Sequence, residues 1–297
     1  MRRVKPDPVF VSNSILVEKG QSQKQYRFCG NYVEANAQTR KPAAPLPDTH
    51  AIIDALQHCT YMSAVDIHSG FQNVTVPREF QTYTGLVTQD GLYVTERMQW
   101  GFNAAPAHFQ EVMNYALNAP CVDARGKAIP PAKHATYLDN VSTGDIDVEA
   151  CWENTEVIIA RLALRNLPIG IWKCTFLTRA LVVVGATICS GEYQLASKSI
   201  KKLFASSLPR TLAQLQGLLG SLNFCSNFIP DYRCKIKPLL RLLHRDNDGK
   251  WTLEHTALLN ELAVAVQKQL KLGIVNMHQP ARLHIDVDDT DLSGVLV

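Results

Sequence analysis

The sequence predicts an α+β fold, and three observations support this class. Strand-type segments and amphipathic helical patterns alternate over roughly the first 190 residues. After about residue 195 the pattern becomes mainly helical, with four successive helical stretches. Hydrophobic residues make up 46% of the chain and charged residues 19%, so enough apolar side chains are available to bury a core. Such an order of elements is typical of α+β proteins.

The chain is predicted to begin with a β-hairpin. Residues 9–17 and 26–33 are rich in β-forming side chains, and the polar residues 18–25 between them are expected to form the turn. Lys19 and Lys24 would make the tip of this hairpin basic.

The middle of the chain is predicted to mix helices with short strands, and caps mark two of the helix starts. Asp48 can accept a hydrogen bond at a helix N-terminus, and Pro106 suits the first turn of a helix. The predicted elements are helices from Asp48 to Leu56, from Pro106 to about Leu117 and at 148–164, strands at 61–67, 72–76, 92–98, 174–177 and 181–188, and a strand–turn–strand unit at 134–143.

The C-terminal third is predicted to be helical until its last strand. Thr252 can cap the fourth helix, with His255 three residues later, although this pair is not the usual capping box. The predicted elements are helices at 197–206, 211–227, 234–244 and 254–270, followed by a strand at 281–287.

Composition excludes several classes of protein. No segment approaches the roughly 18 apolar residues of a membrane-spanning helix, and residues 1–6 lack the apolar core of a secretory signal. The eight cysteines form no C-x-x-C pair, so we expect reduced thiols and no structural metal. The net charge of +3 leaves nucleic-acid binding open without indicating it. We expect an intracellular protein, cytoplasmic or nuclear, without a membrane partner.

Two acidic residues stand at positions suited to metal-dependent chemistry. Asp66 ends an apolar strand, and Asp139 lies in a tight turn between two short strands. Each feature alone is more often structural, since a strand-end Asp is usually a cap and an Asp-Asn turn is usually only a hairpin. Together they are suited to nucleotidyl transfer, which needs carboxylates from separate strands to hold two Mg²⁺ ions.

Ordered motifs along nearly the whole chain resemble the reverse transcriptases of gypsy-type long-terminal-repeat retrotransposons. The matching segments are YRFCGNY at 26–32, PLP at 45–47, SAVDIHSGF at 63–71, MQWGFNAAPAHFQ at 98–110, YLDN at 137–140, KCTF at 173–176, LLGSLNF at 218–224, FIP at 228–230 and LHIDVD at 283–288. The resemblance implies a right-hand polymerase with fingers, palm and thumb, followed by a helical connection and the first strand of an RNase H-like domain.

The resemblance also implies a division into domains. Fingers and palm would occupy residues 1–195, thumb and connection helices 196–250, and the truncated start of an RNase H-like domain 251–297. Asp286 would be the remnant of the RNase H carboxylate set. Other domains of a pol polyprotein are then expected partners.

The catalytic roles follow residue by residue from the resemblance. Asp66 and Asp139 are implied to ligate two Mg²⁺ ions, with Mn²⁺ as an alternative, and the backbone carbonyl of Ile67 would be a further ligand. Lys173 is a candidate proton donor to the leaving pyrophosphate, although a solvated lysine before a strand is an equally good interpretation.

The resemblance likewise implies a nucleotide pocket. Arg27 would contact the incoming triphosphate, with Lys19 beside it on the fingertip or simply solvated in a turn. Phe71 would exclude a ribose 2′-hydroxyl, and core packing is its alternative role. Trp100 would line the pocket, and Gly101 would let the backbone approach the nucleotide closely.

The implied activity is RNA- and DNA-directed DNA synthesis from dNTPs on an RNA or DNA template with a primer. Asn140 stands where the family has the second Asp of its catalytic turn, and the amide lacks a full negative charge. We therefore keep a second hypothesis, an inactive relic that binds nucleic acid or a partner without turnover. RNA-templated RNA synthesis is disfavoured by Phe71, because ribonucleotides call for a smaller residue there.

Overall fold

The computed structural model describes residues 2–3, 8–18, 26–40, 47–189, 191–196, 208–209, 211–243, 251–268, 272–273, 283–287 and 292–296. Its strands and helices confirm the predicted α+β class. The chain divides into two compact units, Met1–Val184 with Ile188–Ser190 and Gly185–Thr187 with Gly191–Val297. Among the described residues, no helix is both long enough and apolar enough to cross a bilayer.

The first unit contains a five-stranded sheet, a four-stranded sheet, a small two-stranded sheet and five described α-helices. Its strands are β1 (Arg2–Arg3), β2 (Val11–Glu18), β3 (Tyr26–Gly30), β4 (Tyr61–Asp66), β5 (Gly85–Thr88), β6 (Gly91–Val94), β7 (Cys121–Val122), β8 (Ala128–Ile129), β9 (Ala135–Tyr137), β10 (Asn140–Asp145), β11 (Thr175–Thr178) and β12 (Ala180–Val183). Its α-helices are α1 (Val33–Gln38), α2 (Thr49–Leu56), α3 (Arg78–Gln81), α4 (Ala105–Asn118) and α5 (Val148–Leu164).

The strand order defines the two larger sheets of this unit, and β7 pairs with β8 in the small one. The five-stranded sheet has the order β1-β6-β5-β2-β3, and its β2–β3 pair is the hairpin predicted from the sequence. A four-stranded sheet, here called the central sheet, has the order β11-β4-β10-β9. Lys19 and Lys24, expected at the tip of the β2–β3 hairpin, lie outside the described residues.

The core of the first unit is formed by side chains of the central sheet and of the two long helices. Val65 of β4, Met113 of α4 and Ile158 of α5 are fully buried in one cluster. The predicted N-cap of α2 is confirmed, because the Asp48 carboxylate accepts a hydrogen bond from the His50 backbone N–H at 3.2 Å. Helix α4 has a proline in its first turn, as predicted for Pro106.

Two predicted strands are wrong. Residues 72–76 do not form a strand, because a 3-10 helix, Gly70–Asn73, turns the chain so that the Phe71 ring packs edge-on against Phe109. The apolar run 181–188 is not one strand either. It is divided between β12 and β13 (Ala186–Cys189) by a turn in which Val184 takes φ 47° and Gly185 takes φ 85°. A β-branched residue such as Val184 is uncommon at positive φ, so nothing in the sequence indicated a turn within this apolar run.

The second unit contains strands β14 (Glu192–Leu195), β15 (Leu272–Gly273), β16 (Leu283–Val287) and β17 (Leu292–Leu296), and helices α6 (Leu212–Phe224), α7 (Tyr232–Arg241) and α8 (Leu253–Gln267). These helices confirm three of the four predicted helical stretches, and the fourth, 197–206, lies outside the described residues. Thr252 caps α8, and the His255 side chain completes a capping box that the sequence did not predict. Buried Leu219, Leu239 and Leu262 join the three helices in one core.

Candidate active site

The pairing of β4 with β10 brings the two predicted carboxylates together. In this antiparallel ladder Asn140 lies directly opposite Asp66. The Ile67 backbone N–H donates to the Asp139 carbonyl at 2.8 Å, which extends the ladder past the end of β4. The sequence separates the two acids by more than seventy positions, and the register places them at one end of the central sheet.

The turn that carries Asp139 is held from behind by helix α4. Leu138 has φ 52°, a conformation that two-residue hairpin loops require and that branched side chains seldom adopt. Its backbone N–H donates to the Gln110 Oε1 atom at 2.9 Å, and Gln110 Nε2 donates to the Thr136 carbonyl at 3.5 Å. Gln110 is buried, so this amide fixes the turn in an environment that water does not reach.

The segment that follows α5 supports Asp66 from the other side. The Gly170 N–H donates to the Asp66 carbonyl and the His68 N–H donates to the Pro168 carbonyl, both at 2.8 Å. Neither of these hydrogen bonds uses the carbonyl of Ile67, the residue proposed as an extra metal ligand. Lys173, in the 3-10 helix Ile171–Lys173, places its Nζ atom 2.8 Å from Asp66 Oδ1.

The electrostatics of the site are those of a poorly compensated acid pair. Burial, and then the charge of Asp66, raise the pKa of the Asp139 carboxyl above its ordinary value, while a backbone hydrogen bond and the charges of Lys173 and Arg27 act in the opposite direction. Both aspartates are half-buried. Two carboxylates held close together at low solvation form a favourable environment for an added cation.

Asn140 faces the same end of the sheet without adding charge. Its Oδ1 atom accepts a hydrogen bond from Ser142 Oγ at 3.1 Å. Among the described residues, no group of three or more His, Cys, Asp or Glu side chains is positioned to hold a metal ion. Asp66 and Asp139 supply the hard oxygen donors that Mg²⁺ prefers, and they fit such an ion as a set of two carboxylates rather than three.

The residues predicted to bind a nucleotide form a stacked group. The Arg27 guanidinium lies 5.0 Å from the centre of the Trp100 ring, and Trp100 packs against Phe71 with ring centres 4.6 Å apart. Phe71 also contacts Phe109 at 5.2 Å and is 8% exposed, so it belongs to the core as well as to this group. The influence of Arg27 on the Asp139 carboxyl links the stacked group to the acid pair.

Gly101 adopts a conformation that only glycine takes without strain. Its φ is 106°, and a Cβ atom there would lie 3.0 Å from the Gly30 carbonyl oxygen. Asn36 holds this loop, because its Nδ2 atom donates to the Gly101 carbonyl at 2.7 Å and its Oδ1 atom accepts from the Asn103 N–H at 3.0 Å. The sequence contained no local sign that Asn36 would contact this loop, whereas Gln110 at least lay within a recognised motif.

The structure therefore brings together most of the predicted site residues. Asp66, Asp139, Asn140 and Lys173 lie at one end of the central sheet, and Arg27, Phe71 and Trp100 form the adjoining stack. Lys19 lies outside the described residues. Asp286 lies on β16, which pairs with β17 in the second unit, and only its backbone is described.

Comparison with known proteins places this arrangement in a family. The family model described as reverse transcriptase (RNA-dependent DNA polymerase) matches residues 8–211, more than half of the chain. The chain therefore belongs to the reverse transcriptase family. Members of this family generally use divalent metal ions.

Two relatives show the kind of polyprotein in which this domain occurs. The chain is 24% identical over 289 residues to the retrovirus-related Pol polyprotein from transposon opus of Drosophila melanogaster, covering 94% of this chain and 28% of that protein. It is 22% identical over 270 residues to the transposon Tf2-7 polyprotein of Schizosaccharomyces pombe, covering 91% and 20% respectively. The chain thus spans about a quarter of the length of these relatives and is a reverse transcriptase domain of the retrotransposon Pol type.

Solved structures show the same fold. The foamy viral protease–reverse transcriptase in complex with double-stranded DNA matches with a TM-score of 0.79 at 23% identity, covering 96% of this chain and 49% of that one. The same viral protein in complex with an RNA/DNA hybrid matches with a TM-score of 0.73 at 24% identity, covering 95% and 37%. The predicted fold class is confirmed by these matches.

Proposed function

We propose that this chain is an RNA- and DNA-directed DNA polymerase that adds dNTPs to a primer on an RNA or DNA template. The observation that carries the proposal is the β4–β10 register, which places Asp66 and Asp139 side by side with the Ile67 N–H bonded to the Asp139 carbonyl at 2.8 Å. Separate strands thereby supply the two carboxylates that nucleotidyl transfer requires.

Asp66, Asp139 and the carbonyl of Ile67 would hold two Mg²⁺ ions, or Mn²⁺ in their place. When bound, such ions supply the positive charge that lowers the pKa of a primer hydroxyl and neutralises a triphosphate. Arg27 would bind the triphosphate from above Trp100, and the buried Phe71 ring would leave no room for a 2′-hydroxyl.

Lys173 would have two successive roles in this cycle. Its ammonium group forms an ion pair with Asp66 Oδ1 at 2.8 Å. A lysine so close to the reacting centre can donate a proton to the leaving pyrophosphate, since general acids must lie within one hydrogen bond of the group that they protonate.

The finer identity of the element also belongs to this proposal. The ordered motifs favour the gypsy-type subclass, and the β16–β17 hairpin is compatible with the start of an RNase H-like domain after residue 250. We propose fingers and palm at 1–195 and thumb and connection at 196–250. Other Pol domains are proposed partners, and dNTP supply places the activity inside the cell.

The second candidate is a catalytically inactive relic, and Asn140 is the observation that favours it. Its side chain is a neutral amide that accepts a hydrogen bond from Ser142, so one of the three acidic positions of the family carries no charge here. A relic would keep the fold and the capacity to bind nucleic acid while failing to turn over dNTPs.

Primer extension on poly(rA) with an oligo(dT) primer separates the two candidates. The wild type is compared with Asn140→Asp and Asp66→Ala, each with Mg²⁺ and with Mn²⁺. Extension by the wild type that Asp66→Ala abolishes supports the polymerase. Extension only after Asn140→Asp identifies an intact scaffold disabled at one residue, and inactivity of all three proteins with either ion supports the relic.

A further inference from the structure

One large aromatic side chain, next in the chain to Lys173, is almost entirely exposed. Trp172 is 87% exposed and is the most exposed aromatic residue that the structure describes. Its neighbour Ile171 is also exposed, at 49%. Burying an indole ring is strongly favourable, so a ring left in water forgoes stabilisation that a bound ligand can recover.

The backbone holds this ring at the edge of the site. Trp172 lies in the 3-10 helix between Gly170, whose N–H donates to the Asp66 carbonyl at 2.8 Å, and Lys173, whose Nζ atom contacts Asp66 Oδ1 at 2.8 Å. A Cβ atom on Gly170 would lie 3.4 Å from Asp66 Oδ1. Gly170 and Lys173 are therefore both tied to Asp66 at the end of β4, and they hold the backbone of the short 3-10 helix that carries Trp172 at this edge of the site.

The surroundings favour a ligand that is flat, apolar and attached to a negative charge. Lys173, the next residue along the chain, provides a cation whose side chain is 60% exposed, and His68 is exposed on the segment that follows β4. An aromatic platform beside a cation is the combination with which proteins bind nucleotides without regard to base identity, because every base has a π-face and every nucleotide carries a phosphate. A protein partner would instead call for a continuous apolar patch around the ring.

We propose that Trp172 is a stacking platform for a nucleobase at the entrance to the acid pair. The base belongs to a single-stranded stretch of polynucleotide or to the free nucleotide, which share this chemistry. The inference rests on the proposed function, since it assumes that nucleotides reach Asp66 and Asp139.

The test compares wild type with Trp172→Ala and Trp172→Phe in two binding assays. Fluorescence anisotropy gives the Kd for a labelled single-stranded dT15, and calorimetry gives the Kd for dTTP with Mg²⁺, each at two salt concentrations. Trp172→Ala is expected to weaken at least one Kd by about five- to a hundredfold, the range of base–aromatic stacking, and Trp172→Phe to restore most of the loss. The salt dependence should stay unchanged, because stacking releases no counterions.

Trp152→Ala is the matched control. Trp152 is 40% exposed on α5 and donates its Nε1–H to Glu156 at 3.0 Å. The Trp152→Ala variant is expected to bind both probes with the Kd of the wild type. A loss confined to dT15 assigns the base to the polynucleotide, and a loss confined to dTTP assigns it to the free nucleotide.

Unchanged Kd values for both probes in Trp172→Ala, with a wild type that binds them, would overturn the stacking inference and leave the proposed function standing. A reduced salt dependence would overturn it as well, because it would indicate a lost phosphate contact. A wild type that binds neither probe would overturn both the inference and the proposed function.

Discussion

The two ends of the central sheet each hold an aspartate–lysine pair, but the pairs have different surroundings. At one end Lys173 Nζ lies 2.8 Å from Asp66 Oδ1, and at the other Lys133 Nζ lies 2.9 Å from Asp145 Oδ2. The same two strands, β4 and β10, connect the two ends, with Asp66 opposite Asn140 and Tyr61 opposite Asp145. The difference between the ends therefore arises from what surrounds each pair.

The Asp145 end is electrostatically satisfied. Its carboxylate accepts from Lys133 and from the backbone N–H groups of Ile146 and Asp147. The hydrogen bond from Lys133, followed by those from the backbone, lowers the pKa of the Asp145 carboxyl.

At the Asp66 end, two carboxylates lie near a single lysine, Lys173. Asp139 is the surplus acid, and its pKa is raised by burial and by Asp66. A saturated ion pair stabilises a fold, whereas a surplus carboxylate forms a site that favours the binding of a cation. The same two strands thus carry a satisfied ion pair at one end and the candidate site at the other.

The largest expected effect is on the rate of primer extension, which should depend on Asp66 and not on Asp145. Asp66→Asn keeps the side-chain shape and the backbone hydrogen bonds but removes a charge, and primer extension should fall on the order of a thousandfold, as for loss of a major electrostatic stabiliser. Asp145→Asn should leave the extension rate unchanged and lower only the free energy of unfolding. An equal loss of activity in both variants would show that the sheet has no functional end.

The next effect concerns the supports behind each end. Gln110→Ala leaves the Leu138 N–H without its 2.9 Å acceptor, which should cost about 1–3 kcal/mol of stability and reduce extension as the catalytic turn loosens. Thr143→Val is the matched control, because it removes the 2.7 Å hydrogen bond from Thr143 to the Lys133 carbonyl at the opposite end. Urea unfolding and extension rates should show two destabilised variants, of which only Gln110→Ala loses activity.

The pH dependence of stability should have opposite signs at the two ends. Because the pKa of Asp139 is raised in the folded state, its ionisation destabilises the fold as pH rises from the unfolded value, about 3.9, through the raised folded value. Asp139→Asn should then be more stable than the wild type at pH 7, and the difference should shrink as pH falls through the raised folded pKa and be lost by about pH 4.

The lowered pKa of Asp145 has the converse effect. Its ionisation stabilises the fold above the unfolded pKa, and this contribution is lost as pH falls through that value towards the lower folded pKa. Asp145→Asn should be less stable than the wild type at pH 7. Urea unfolding between pH 4 and pH 7 measures both variants, and stability changes of the same sign at pH 7 would contradict the comparison.

The smallest effect concerns Mn²⁺ binding, which electron paramagnetic resonance can measure without turnover. Lys173→Ala removes the ammonium that competes with a cation for Asp66, so Mn²⁺ should bind up to about fivefold more tightly, in keeping with the modest energy of an exposed ion pair. Lys133→Ala should leave Mn²⁺ binding unchanged. Weaker binding in Lys173→Ala would mean that the lysine supports the ion rather than competing with it.

Much of the site could be predicted because it depends on local patterns. Asp66 at a strand end, Asp139 in a hairpin turn and the caps at Asp48 and Thr252 each leave a signature within a few residues. The predictions that failed concern segments whose structure depends on contacts with residues far away in sequence. The strand predicted at 72–76 does not form, because the 3-10 helix Gly70–Asn73 lets Phe71 pack against Phe109, which lies on α4, far away in sequence.

The supporting contacts could not be predicted for the same reason. Gln110 reaches Leu138 across 28 positions, and Asn36 reaches Gly101 across 65. An amide side chain can donate and accept in many directions, so its type indicates no particular partner. Only the packing of α1 and α4 against their neighbours selects the contacts observed.

Motifs and hydrophobic periodicity predicted the family, most of the helices and strands and the two aspartates of the candidate site, because these features lie within short stretches of the chain. Only the folded structure shows that Lys173 Nζ lies 2.8 Å from Asp66 Oδ1, that the pKa of the Asp139 carboxyl is raised and that the Trp172 side chain is exposed. Charge interactions and desolvation depend on distances through space and on burial. Those quantities exist only after β4, β10 and the segment after α5 have come together.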